Sequence, residues 1–302
     1  MLATSIVDYD RLMRSTPQDE QARSATLGTA LTGIEGDYFF DYAVFGGALR
    51  TYVASALEAQ YLREPSEMHR RAFILALYRE EYTAYEDLGA FLHAMLSASV
   101  DPQVVPLERI LNYGPGDVHL KKVLGRHQVT SGDDLFARLA LKDWIPTWWS
   151  TRHPDVDLDK VLRRVCYLFA KDGVENQREQ GLRGFNKIKH GLVLVPEGRE
   201  YRSALPSAPA VIFKTDKKNA QAQANPLTIM SIPIDAAAFE GRLRSIHFFQ
   251  LSLRLLAILY VVKSHPSVIG RRGFAPQGAV FDSAGMVDVL EFARQSSSTV
   301  WP

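Results

Sequence analysis

The chain of 302 residues holds a single cysteine, Cys166. One thiol excludes an internal disulfide framework and any cysteine-rich zinc centre. Cys166 sits in the apolar run "VCYLFA", where its expected role is that of a small buried hydrophobe in a helix. A dominant charge is lacking too. Lys and Arg number 35 against 34 Asp and Glu, for a net charge of +1. That balance excludes a chain coated in positive charge for nucleic acid. Long apolar runs are scarce. The most apolar stretch, residues 246–262, carries His247, Gln250 and Arg254, so it reads as a buried core helix rather than a membrane span. The opening "MLATSIVDYDRLMR" lacks the apolar run of a secretory signal. By elimination, the expectation is a cytoplasmic protein with no membrane partner.

Missing motifs remove whole reaction classes. The sequence contains no G-x-G-x-x-G, no G-x-x-x-x-G-K-[ST], no G-x-S-x-G and no H-E-x-x-H. None of the eight histidines stands three residues after a glutamate, so the Glu-x-x-His pattern of di-iron bundles is absent. In "REEYTAYEDLGAFLHAML", Glu81 and Asp87 point to opposite sides of a helix at about 100° per residue. The acidic residues there read as a solvated charged face. The sequence calls for no metal and no cofactor.

What is present is mostly helical. The class expected is mainly α: a two-part helical bundle with a small β-insertion around residues 192–234. "DYFFDYAVFGGALRTYVASALEAQYL" reads as one helix capped by Asp37, with Gly46 and Gly47 serving close packing. A second helix follows from the Ser66 cap to near Asp101, and the two suggest an antiparallel pair. Shorter helices are expected around 104–112, 117–125 and 131–143, the last opened by Ser131 and Asp134 at capping-box spacing. "DWIPTWWSTRHPDVD", with Trp144, Trp148 and Trp149, reads as the boundary between a bundle over 1–150 and a second helical domain over 151–302. Helix resumes after Asp157, and beyond Gly191 the apolar runs "LVLV", "AVIF" and "LTIMSIPI" have strand character. A long helix is expected from Asp235 to about Ser264, and a short one near 284–294.

Charge is uneven along the chain. Between Arg163 and Lys218 stand 12 Lys and Arg against 6 Asp and Glu. That basic segment contains "RGFNKIKHGL", residues 183–192. On a helix, Leu182, Phe185, Ile188 and Leu192 form an apolar stripe, while Glu179, Arg183, Asn186 and His190 cluster beside it and Lys187 lies just outside. A histidine moves protons near neutral pH, and an arginine offers a fork of donors to a phosphate. Such a group has the parts for cleaving RNA without metal. It also has a plain structural reading, with Glu179 and Arg183 as an i,i+4 pair, His190 meeting the helix dipole and Gly191 ending the helix.

"RGFNKIKHG" resembles the signature helix of the HEPN superfamily (higher eukaryotes and prokaryotes nucleotide-binding). The resemblance implies an all-helical domain and, in many members, a metal-independent ribonuclease whose site forms where two protomers meet. Arg183 would match the motif arginine and His190 the motif histidine, with Asn186 and Lys187 as auxiliary polar residues. Gly184 stands where members usually carry a polar residue. A second pair at family spacing, Arg242 and His247 in "RLRSIH", competes for the same role. The expectation is therefore a HEPN-like homodimer acting on RNA or a nucleotide. The alternative is a non-catalytic helical binding or scaffold protein, as a partner subunit or nucleotide sensor.

Overall fold

Side chains that accept from otherwise orphaned amides mark where helices begin. Ser66 accepts from the His69 amide, Ser131 from that of Asp134 at 3.1 Å, Asp157 from that of Lys160 at 3.1 Å and Asp235 from that of Ala238 at 2.7 Å. Asp134 answers by accepting from the Thr130 amide, one residue before the serine. A computed structural model describes residues 17–46, 48–113, 120–174, 194–195, 210–214, 227–232 and 235–298. These residues are mainly helical.

The first helix described, α1, runs Pro17–Asp41 and passes into a π-helical turn, Tyr42–Gly46. Then come α2 (Ala48–Arg63) and the long α3 (Glu67–Val100). The short helices α4 (Pro106–Leu111), α5 (Leu120–Arg126), α6 (Gly132–Arg138) and α7 (Trp149–Arg152) lead to α8 (Leu158–Val174). Three strands, β1 (Leu194–Val195), β2 (Ala210–Lys214) and β3 (Leu227–Ser231), pair antiparallel in chain order, with Val211 opposite both Leu194 and Met230. The chain closes with α9 (Ala236–Ser264), α10 (Pro266–Arg271) and α11 (Val287–Ser298).

Asp37 is not a cap. It lies inside α1 and pairs with Arg271 at 2.8 Å and Arg272 at 3.1 Å. What sequence periodicity presents as one helix is two, joined by the π turn. Gly46 does not serve close packing either, because a Cβ there would meet nothing nearer than 3.7 Å.

Contacts fix the directions of the helices. Arg70 lies over Tyr61, Arg50 reaches Glu80 and Asp87, and Phe39 meets Phe91. The α1–α2 arm therefore runs antiparallel to α3. Along α9, Arg242 meets Glu81 and Phe249 meets Tyr85, so α3 and α9 run in the same direction.

α9 is long and apolar enough by composition to cross a membrane, yet 72% of that apolar window is buried among the other helices. Each large apolar side chain it buries contributes about 1.5–3 kcal/mol. Trp144 and Trp149 are buried in the same cluster as Phe39, Leu92, Phe169 and Phe281. The hydrophobic core thus draws on residues from both sides of position 150.

Candidate functional site

Arg183 and His190, with Glu179, Asn186 and Lys187, lie outside the described residues. The described chain leaves α8 at Val174, immediately before them. At that point a cleft of about 430 Å³ opens between α8 and α9. Lys171 and Asp172 from the last turns of α8 share it with Arg244 and Ser245 of α9, over an apolar floor that includes Leu168 and Phe248. Lys171 and Arg244 are both exposed.

The second pair found by spacing is not brought together. Five residues put Arg242 and His247 about 140° apart around α9. The Arg242 side chain is 12% exposed, and its guanidinium donates to Glu81 Oε2 at 2.7 Å and lies 4.6 Å from the centroid of the Tyr78 ring. It is committed inside the bundle. His247 Nε2 is buried without a hydrogen bond among the described residues.

The acidic stretch of α3 is not a solvated face. Glu81 and Glu86 are buried, and Asp87 is half-buried against Arg50. Burial is supported here because α2 and α9 supply arginines to meet the carboxylates. Arg50 Nε donates to Asp87 Oδ2 at 2.6 Å, and its NH1 to Glu80 Oε2 at 3.3 Å.

That ion cluster lines a cleft of about 370 Å³ formed by α1, the π turn, α2, α3 and α4. Tyr38, Phe39, Tyr42, Phe91 and Tyr113 supply its aromatic walls. Tyr42 donates from its hydroxyl to Gln250 Oε1 at 3.0 Å. The Gln250 amide lies fully buried against Asp87, and its Nε2 completes no hydrogen bond. Burial raises the Asp87 carboxyl pKa above its ordinary value, even though the Arg50 guanidinium opposes that shift. Burial also raises the Tyr38 and Tyr113 phenols, and the Asp87 charge adds to both. Sequence reading missed this cleft, since Arg50 and Asp87 meet only when two helices pack. One local signal existed: Glu80 and Asp87 are seven residues apart, and so share a helix face.

Three further polar groups join the helices. Glu35 accepts from Tyr260 Oη at 2.6 Å and from the Leu107 amide at 2.9 Å, with His265 Nε2 at 3.3 Å. Burial acts to raise its pKa, but the hydrogen bonds from His265, Tyr260 and Leu107 outweigh burial and hold the carboxyl below its ordinary value. Arg254, fully buried, donates to Ala43 O at 2.7 Å, to Asp288 Oδ2 at 2.5 Å and to Gly285 O.

The third group is a chain from Arg126 NH1 to His93 Nε2 at 3.3 Å and from His93 Nδ1 to His127 Nε2 at 3.2 Å. A guanidinium only donates, so His93 carries its proton on Nδ1 and His127 Nε2 accepts. Burial, followed by His93, Arg126 and Arg138, brings the His127 pKa down to about 4.

Compared with protein-family models, curated proteins and solved structures, the chain matches none of them.

Proposed function

We propose that the protein is a HEPN-like ribonuclease acting without metal, with Arg183 and His190 as its catalytic pair at an interface between two copies of the chain. The observation that carries this reading is the cationic cleft at the root of the segment holding the pair. Lys171 and Arg244 stand exposed on either side of it, where a phosphate backbone would be attracted. The ion pair of Arg242 with Glu81 favours Arg183 over Arg242 in this reading. In this reading the three strands belong to one β-insertion over residues 192–234, and the second domain, 151–302, carries the chemistry. His190 takes the proton of a ribose 2′-hydroxyl as general base, and the 2′-oxygen attacks the adjacent phosphorus as the P–O5′ bond breaks. Arg183 stabilises the charge developing on the phosphate, and the proton passes from His190 to the leaving 5′-oxygen, giving a 2′,3′-cyclic phosphate and a free 5′-hydroxyl. An RNA oligonucleotide and its all-2′-deoxy counterpart, incubated with the protein in EDTA, test the mechanism. The RNA is cut and the deoxy strand survives; cleavage of both, or of neither, contradicts it.

A second reading is a helical binding or scaffold protein without catalysis. It is favoured by the exposed apolar side chains Phe45, Leu49 and Tyr52, which lie on or beside the start of α2. It predicts tight association with a partner and no RNA turnover.

A further inference from the structure

The cleft between α1, the π turn, α2, α3 and α4 has no part in the RNA reading and stands independently of it. We infer that this cleft is a binding site for a small organic cation, an ammonium group on an apolar stem. Its volume, about 370 Å³, falls in the range of sites that enclose small molecules. Three features of its lining select the ligand class.

The first is unequal charge. Glu80 and Asp87 share one guanidinium, that of Arg50, which leaves one carboxylate charge without a cation in the cleft. The second is an unfinished acceptor. Arg50 donates to Asp87 Oδ2 and the buried Gln250 amide stands behind the same carboxylate as a second hydrogen-bonding neighbour, so protein donors fill only part of its acceptor capacity. An ionised carboxylate has about four lone-pair sites to fill. The third is aromatic. Five rings line the cleft, and the hydroxyls of Tyr38 and Tyr113 at its rim have no protein partner among the described residues. Aromatic walls attract a cation through the ring quadrupole. Leu49, Val53 and Ile110 provide the apolar surface for the stem. An anion is disfavoured by the two carboxylates, and a purely apolar molecule leaves the charge unmet.

Calorimetric titration of the full chain with hexylammonium, hexanol and hexanoate tests the inference, because the three probes share one stem. Hexylammonium binds saturably, hexanol at least about tenfold more weakly and hexanoate not at all. Glu80→Gln and Tyr113→Leu change partly exposed side chains, and each weakens hexylammonium several-fold while the helical circular dichroism stays that of the wild type. Equal binding of hexylammonium and hexanol, unchanged affinity in both variants, or no binding of hexylammonium overturns the assignment.

Discussion

Arg254 shows how far one side chain determines the arrangement around it. An arginine in an apolar helix is costly to bury unless every donor finds an acceptor. Here the acceptors are the Ala43 carbonyl of the π turn, the Gly285 carbonyl and the Asp288 carboxylate. Arg254→Met leaves two buried carbonyls unpaired, and chemical denaturation is expected to show a loss of about 3 kcal/mol. A variant as stable as the wild type contradicts this role.

Cys166 belongs to the same scale. It is 1% exposed, and burial pushes its thiol up. The native protein therefore resists thiol reagents that label it rapidly once unfolded. Rapid labelling without denaturant argues against the packing described.

His127 gives a pH dependence with a definite sign. Its folded pKa of about 4 lies below the ordinary 6.5, so on acidification the unfolded chain takes up this proton first. The folded state loses stability as pH falls from about 6.5, and the loss is complete below about 4. Protonation of His127 also removes the acceptor for His93 and sets a charge beside Arg126 and Arg138. The melting temperature of the wild type falls across this window, and His127→Gln lessens the slope. An identical slope in both proteins counts against the histidine chain.

Among the elements, the π turn is held from two sides, by the Arg254 guanidinium on Ala43 O and by the close approach of Gly285 to Val44. It lies between α1 and α2, and Arg50 in the first turn of α2 meets Asp87. Backbone crowding holds it in place, since a Cβ on Gly285 would stand 2.6 Å from Val44 Cγ1 and 2.8 Å from Val44 O. Glu35 plays a comparable part, joining α1 to the start of α4 and to α9 and His265. Glu35→Gln loses charge-assisted hydrogen bonds and is expected to cost about 1–3 kcal/mol, read from thermal unfolding. No change would mean that the network does not hold α4.

These elements also show what can be read from a sequence. Ser66, Ser131 and Asp235 mark true helix starts, because a cap acts on amides two or three residues away. Asp37 misled because its partners, Arg271 and Arg272, lie more than two hundred residues along the chain. The carboxylates of α3 misled for the same reason. Nothing near Glu81 in sequence announces that Arg242 will cover it. Capping is local chemistry and legible, whereas ion pairing across helices is tertiary and is not. The same limit kept the Arg50–Asp87 cleft hidden, although Glu80 and Asp87 mark a helix face.

For the whole molecule, the core around α9 joins residues on both sides of position 150, with Trp144 and Trp149 inside it. Lys171 near the end of α8 and Arg244 of α9 share one cleft on this body. The proposed nuclease would use the cleft that Lys171 and Arg244 share to attract its substrate. Phosphate attraction by that cleft is screened by salt, so RNA affinity falls as ionic strength rises, and Arg244→Gln lowers that salt dependence.

Cleavage of RNA in EDTA by the wild type, Arg183→Ala and His190→Ala measures the proposed roles of Arg183 and His190. The wild type is expected to turn over RNA without metal, and each variant to lose at least about a hundredfold. Equal cleavage by all three proteins, or cleavage by none, would contradict those roles.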